Sequence, residues 1–155
     1  MAFYSYLSTK IIIAFITKSY KDLFGVRSYI NAIIYHLELP EGEIFVSTNE
    51  LYLSLVIENL LDNANKFTDS GSITLKMRLD KAQSKLRIEV TDTGCGIPPE
   101  KREEIFLCFI KLDEFAQGNG LGLYLSRLII KRLSGNIFVD SSYTEGTRMV
   151  ICLSV

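Results

Sequence analysis

Between Gly71 and Asp92 the chain writes two strands in succession. Ile73, Leu75, Met77 and Leu79 alternate with polar residues, and after a polar turn Leu86, Ile88 and Val90 do the same. Two such runs read as neighbouring antiparallel strands with one apolar face, and that face needs a covering layer. The second run keeps its phase as far as Asp92, which puts a carboxylate on the covered side at the end of a strand. A carboxylate there must find hydrogen-bond donors or lose its charge by protonation. The pair therefore demands a sheet covered by helices, with one acid built into the covered face.

The rest of the chain supplies the cover. From Lys10 to Phe24, Ile12, Ile16, Tyr20, Leu23 and Phe24 recur at helical spacing, and Gly25 marks a stop. Tyr35, Leu37 and Leu39 alternate with His36 and Glu38 as in a half-buried strand, and Pro40-Glu41-Gly42 turns into a short apolar run, Ile44 to Val46. Ser47-Thr48-Asn49 offers N-caps for a long helix carrying Leu51, Leu55, Leu60 and Ala64, which Asp69-Ser70-Gly71 ends. Pro98-Pro99-Glu100 opens a short charged helix into Ile105-Phe106, and a loop runs on to Gly122. A further helix, from about Leu123 to Leu133, stops at Gly135. Two last strands, near Ile137 to Asp140 and Arg148 to Leu153, flank a turn containing Glu145-Gly146-Thr147. The expected class is α/β (α+β): a two-layer sandwich, its mixed, mainly antiparallel sheet covered on one face by about three helices. With 155 residues and no internal repeat, we expect one domain over 10–155 and an N-terminal extension over 1–9.

Composition narrows the function classes. The net charge is -1, so no basic field favours nucleic acid or anionic lipid, and neither is expected as a partner. The cysteines Cys95, Cys108 and Cys152 are odd in number and far apart, and with one histidine they do not build a zinc site. They read as free thiols in a reducing compartment, hence a cytoplasmic domain. The apolar run Ile11 to Ile16 is far short of the roughly 20 residues that span a bilayer, and no signal peptide is legible.

Three constellations carry chemistry. Asn59, Asn63 and Lys66 stand at i, i+4 and i+7 of the long helix, within about 60° of one another. Amide oxygens can take a hard cation and an ammonium can meet phosphate, although a solvated polar face has the same appearance. Asp92 runs directly into Thr93-Gly94-Cys95-Gly96-Ile97-Pro98. Glycines two apart let backbone approach a flat ligand, and the acid can accept from an exocyclic amine such as that of adenine; an aspartate opening a turn is the plain reading. Finally, Gly118-Asn119-Gly120-Leu121-Gly122 leads into a helix whose amides suit phosphate, or else forms a flexible loop. Its spacing is neither a dinucleotide fingerprint nor a P-loop. Phe106, Phe109 and Phe115 precede it as core residues or as anchors of a mobile lid, and Phe106 and Phe109 are read as anchors.

In order and spacing these segments resemble the catalytic and ATP-binding domain of bacterial sensor histidine kinases, in the GHKL or Bergerat-fold ATPase superfamily. ENLLDNANKFT (Glu58 to Thr68) is similar to the asparagine box, DTGCGIP (Asp92 to Pro98) to the first glycine box, and IFLCF (Ile105 to Phe109) to the phenylalanine box. GNGLGL (Gly118 to Leu123) is similar to the second glycine box, and EGTRMVICL (Glu145 to Leu153) to the closing strand. The resemblance covers roughly Lys10 to Val155. It implies a Bergerat ATP fold shared with gyrase, chaperone and mismatch-repair ATPases, with ATP and Mg²⁺ as ligands. Asn59, Asn63 and Lys66 would be the catalytic residues, Asn63 holding Mg²⁺ with Asn59 beside it and Lys66 on phosphate. Asp92 would take the adenine amine, with Gly94, Gly96 and Ile97 around the base. Gly118, Gly120, Leu121 and Gly122 would form the closing lid, and Thr147 would support adenine through water.

Two departures bear on mechanism. Hydrolytic relatives place a glutamate base one turn before the metal asparagine; this chain has Asn59, and an amide cannot take a proton from water. Transfer to a partner histidine is therefore expected over rapid hydrolysis. The family's acceptor histidine sits in a His-Glu/Asp motif on a helical hairpin, whereas His36 lies in YHLELP, an expected strand. The expected partners are accordingly a histidine-bearing dimerisation hairpin of a larger parent, which an inner-membrane anchor could hold, and a response regulator. A free-standing serine kinase of the anti-sigma-factor type and a non-catalytic nucleotide-gated module are the alternatives.

Overall fold

The computed structural model describes residues 5–8, 33–41, 45–80, 82–109 and 120–154, with backbone alone for 5–8 and 45. Its elements are β1 (Ser5–Ser8), β2 (Ile33–Glu38), β3 (Phe45–Thr48), α1 (Glu50–Lys66), β4 (Gly71–Asp80), β5 (Lys85–Asp92), α2 (Gly122–Arg132), β6 (Asn136–Val139) and β7 (Thr147–Ser154). Two single turns of 3₁₀ helix, Pro99–Lys101 and Glu104–Phe106, stand where one short helix was expected. The helix expected over Lys10 to Phe24 lies outside the described residues.

Five strands form one mixed sheet in the order β2-β4-β5-β7-β6. β2 and β4 are parallel, and every other pair is antiparallel. The register sets Ile73 opposite Asp92, and Asp92 opposite Thr147. β1 pairs antiparallel with β3 in a separate two-stranded sheet, so four of the nine residues read as an extension contribute a strand.

The two alternating runs behave as their pattern requires. Ile73, Leu75 and Met77 of β4, and Leu86, Ile88 and Val90 of β5, are each 1% exposed or less. Leu53, Val56, Ile57, Leu60, Leu61 and Ala64 of α1 pack onto them, with Ile130 of α2 and Phe106. Leu51 and Leu55, by contrast, are 67% and 51% exposed. They lie about half a turn from the buried face at 3.6 residues per turn, so the core stripe of α1 is carried by other residues.

Local chemistry explains where the helices start and stop. The Asn49 carboxamide oxygen accepts the Tyr52 N–H at 3.0 Å, while Ser47 and Thr48 belong to β3. Glu50 and Lys66 complement the α1 dipole at its two ends. Beyond α2 the left-handed residue is Ser134 (φ 59°), not Gly135. Gly135 answers a different need: a Cβ there would lie 2.6 Å from the Cys152 carbonyl oxygen, so only glycine lets the turn close onto β7. At the other sheet edge the Tyr35 hydroxyl donates to Asn65 Oδ1 at 2.6 Å and fastens β2 to α1. His36, one position along, is exposed.

The opposite face of the sheet is polar. Glu89 is 5% exposed and is paired there with Arg87 at 2.6 Å and Arg78 at 3.5 Å. Arg148 meets Asp140 at 3.2 Å on the same side. The Ser142 hydroxyl and N–H, then Arg148, hold the Asp140 carboxyl below its usual value.

Candidate functional site

The turn after β5 is stitched to the C-terminal end of α1. Cys95 N–H donates to the Phe67 carbonyl at 3.2 Å, and a Cβ on Gly94 would lie 2.1 Å from that same oxygen. Any larger residue at 94 would push the acid-bearing turn away from the amide-bearing helix. Gly96 takes φ 73°, a left-handed conformation that favours glycine, and a Cβ there would stand 3.3 Å from the Gly146 carbonyl oxygen. Ile97 follows half-buried against the core, and its carbonyl accepts from Arg102 Nε at 3.4 Å.

Asp92 sits at the base of this turn, 5% exposed. One carboxylate oxygen, Oδ1, accepts both Gly94 N–H at 2.9 Å and Thr147 N–H at 3.2 Å. The other oxygen has no hydrogen bond among the described residues. Burial pushes the carboxyl above its usual value, and the Gly94 and Thr147 amides pull it partly back. The acid is thus held rigidly by one oxygen and offers the second as an acceptor. Thr147 is itself buried on β7 and meets Asp92 in register.

Thr68 lies on the helix side of the same turn. It is 1% exposed, and its Oγ1 is 2.9 Å from where a Gly94 Cβ would stand. Among the described residues it is the buried side-chain polar atom with no hydrogen-bond partner.

On α1, Asn59, Asn63 and Lys66 share the side turned away from the core. The Asn63 carboxamide has no hydrogen bond among the described residues, and Lys66 is exposed, its ammonium 5.2 Å from the Phe67 ring centre. Asn59 differs: its Nδ2 donates to Ser126 Oγ on α2 at 2.9 Å. A Cβ on Gly122 would lie 2.3 Å from Asn59 Oδ1, so the first turn of α2 rests directly on this amide.

The glycine-rich segment enters α2 as expected, although Gly118 and Phe115 lie outside the described residues. Gly120 has φ 68°, Leu121 precedes the first helical residue, and Gly122 begins the helix. The two phenylalanines read as anchors divide. Phe106 is 2% exposed and covered by the Arg127 guanidinium at 4.1 Å. Phe109 is 71% exposed among the described residues, and its backbone N–H donates to the Gly120 carbonyl at 3.2 Å. Phe109 is held at φ 62°, uncommon outside glycine, to make that bond.

The sequence reading named Asp92, Asn63 and the glycines as site residues and did not single out Thr68 or Ser126, which the fold sets beside them. Ser126 carried a faint signal, a hydroxyl four residues after Gly122 and four before the buried Ile130, on the inward side of α2. Thr68 carried none beyond following the asparagine segment.

The donor set suits the ligands the fold implies. A neutral carboxamide oxygen fits a hard cation that keeps water and phosphate as its other ligands, and a buried carboxylate oxygen with backbone-lined glycines beside it fits an amino-bearing flat base. Among the described residues no three His, Cys, Asp or Glu side chains converge on a metal position.

Comparison with known proteins gives the family. Residues 48–155 match the family described as histidine kinase-, DNA gyrase B-, and HSP90-like ATPase. The adaptive-response sensory kinase SasA of Rippkaea orientalis is 37% identical over 134 residues, 85% of this chain and 33% of that protein. The autoinducer 2 sensor kinase/phosphatase LuxQ of Vibrio harveyi is 37% identical over 124 residues, 75% of this chain and 14% of that one. The chain therefore spans a third or less of these relatives' length. Among solved structures, the catalytic domain of histidine kinase ThkA superposes with a TM-score of 0.79 at 24% identity, covering 97% of this chain and 95% of that one. Full-length ShkA in complex with AMPPNP also gives 0.79 at 24% identity, over 99% of this chain and 32% of that one. At such identities the likeness is one of fold. With the matched family spanning most of its length, the chain belongs to the histidine kinase-, DNA gyrase B-, and HSP90-like ATPases, as an ATP-binding catalytic domain of the sensor histidine kinase type.

Proposed function

We propose that this domain binds Mg·ATP between α1 and the turn after β5 and presents the γ-phosphoryl group to a histidine on a separate helical hairpin. The observation that carries the reading is Asp92: buried, fixed by two backbone amides through one oxygen, and open at the other. That open oxygen would accept the adenine amine, with Gly94, Gly96 and Ile97 giving the base its walls and Thr147 supporting it through water. Asn63 would hold the metal, with Asn59 beside it, and Lys66 would lie against phosphate. Gly118, Gly120, Leu121 and Gly122 would let the lid close. Bound Mg²⁺ would supply charge neutralisation at the phosphates; the chain's own part is orientation and exclusion of water.

Asn59 supports transfer over hydrolysis. Its carboxamide nitrogen is committed to Ser126, and an amide has no proton affinity to activate water. The domain is proposed to span 10–155, with the β1 strand of the preceding segment packed onto it through β3. It would work in the cytoplasm, within a parent that supplies the hairpin and a membrane anchor, and a response regulator would receive the phosphoryl group. No nucleic acid and no direct membrane contact enter this scheme; among the described residues no helix is long and apolar enough to cross a membrane.

The test is incubation with γ-labelled ATP, with and without a separately made hairpin from the parent. Acid-labile label on the hairpin is the expected result. Acid-labile label on this chain that vanishes in His36→Gln would overturn it, since His36 lies in β2 and would have to leave its pairing with β4. Acid-stable label on an added serine-bearing partner would favour the anti-sigma type of kinase instead.

A further inference from the structure

We propose that Ser126 is a positioning residue for the phosphate end of this site: its hydroxyl fixes the Asn59 carboxamide by the nitrogen and sets the oxygen against the first turn of α2. The proposal rests on the nucleotide reading given above. Asparagine's terminal torsion is broad and roughly two-fold, so an unrestrained amide presents oxygen or nitrogen almost equally. Here it is restrained from two sides. Nδ2 donates to Ser126 Oγ at 2.9 Å, and the position of a Gly122 Cβ is 2.3 Å from Oδ1 against 3.1 Å from Nδ2. Ser126 and Gly122 are four residues apart on α2 and so lie on one face of it, one turn above the other. Ser126 is 2% exposed, a polar side chain buried where α2 meets α1.

The arrangement has a purpose that helix packing alone does not need. With Asn59 turned the other way, its NH₂ would face the turn whose backbone N–H groups already crowd the N-terminus of α2, and donors would meet donors. With the nitrogen held by Ser126, the oxygen is the end presented toward the first turn of α2 and available to a cation carried in by the triphosphate. Movement of the first turn of α2 is then felt by Asn59, on the same helix face as Asn63.

The experiment uses the whole ¹⁵N-labelled chain. In Ser126→Ala the side-chain amide resonances of Asn59 should shift or broaden while those of Asn63 stay in place, and Mg·ATP affinity should fall about two- to tenfold, the range of one lost hydrogen bond. Adenosine affinity should be unchanged, Ser126→Thr should keep the Asn59 resonances near their original positions, and Ser126→Ala should cost nothing further in an Asn59→Ala background. Unmoved Asn59 resonances, a parallel loss of adenosine, or an equal loss with and without Asn59 would each overturn the proposal. If Asn59→Ala weakens Mg·ATP and Ser126→Ala does not, the positioning role alone fails. If Asn59→Ala binds Mg·ATP as tightly as the unaltered chain, the assignment of Asn59 to the phosphate site fails, and the positioning role falls with it.

Discussion

Gly146 lies so close to Asp92 that a Cβ on the glycine would stand 2.2 Å from the aspartate's carbonyl oxygen and 2.8 Å from Thr93 Cα. Both are backbone atoms, so no side-chain rotation relieves the clash. Gly146→Ala should therefore move the start of β7 away from the end of β5 and stretch the bond from Thr147 N–H to the Asp92 carboxylate. A loss of about 1–3 kcal/mol of stability is expected, together with weaker nucleotide binding. Thermal denaturation and titration with a fluorescent ATP analogue would read the two effects.

Asp92→Asn should separate stability from binding. Burial raises the folded-state carboxyl above its unfolded value. Its contribution to folding is thus complete below the unfolded pKa and is lost as pH rises through the folded one. At neutral pH the ionised group weighs against folding, and Asp92→Asn should unfold at the same temperature or higher. The new NH₂ would face the adenine amine, so binding should weaken by roughly 1.5–3 kcal/mol. In the unaltered protein, affinity should fall as pH drops through the raised carboxyl pKa, at a higher pH than an ordinary aspartate would give. Calorimetric titrations across mildly acid pH would show this limb, and the variant should lack whatever part belongs to Asp92 and not to the base.

Asn63→Ala should weaken Mg·ATP roughly tenfold, the order of one interaction with a charged group, and leave adenosine untouched. Its carboxamide has no competing partner among the described residues, so truncation removes little from the fold. Titrations with and without Mg²⁺ are the measurement; equal losses for adenosine and Mg·ATP would make Asn63 a structural residue.

Thr68→Val should stabilise the nucleotide-free chain. The hydroxyl is buried with no hydrogen bond, and an isosteric methyl removes that penalty of about 1–3 kcal/mol. At this chain length each kcal/mol corresponds to roughly 2–4 °C in melting temperature. A lower melting temperature would show that the hydroxyl is satisfied in solution.

What the sequence made legible depended on how locally it was determined. Asp92 could be placed because its strand keeps a strict period of two from Leu86, and that phase survives folding intact. α1 was legible as a helix but not in rotation. Leu51 and Leu55 satisfy an i, i+4 pattern as well as Leu60 and Ala64 do, and only the packing of Leu53, Val56 and Ile57 decides which stripe faces the sheet. The contact of Phe109 with Gly120 was not legible either, because it is made by backbone and not by the ring that the sequence displays. The bond from Asn59 to Ser126 joins positions 67 apart, and no local rule reaches that far. The parallel pairing of β2 with β4 is of the same kind.

That parallel pairing has a consequence for the order of events in folding. Two parallel neighbours cannot be joined by a tight turn, and the connection between β2 and β4, residues 39–70, contains the whole of α1. The helix bearing Asn59, Asn63 and Lys66 is therefore carried on the connection that closes this parallel pair, and the finished domain needs that long-range closure. The acid at the end of β5 waits in the same way for β7, which arrives 55 positions later. A nucleotide that touches both can bind only a molecule in which both closures are complete. ATP would then act as the ligand that drains every half-assembled form toward the finished one, and the cell's own nucleotide pool would set how often this domain comes open.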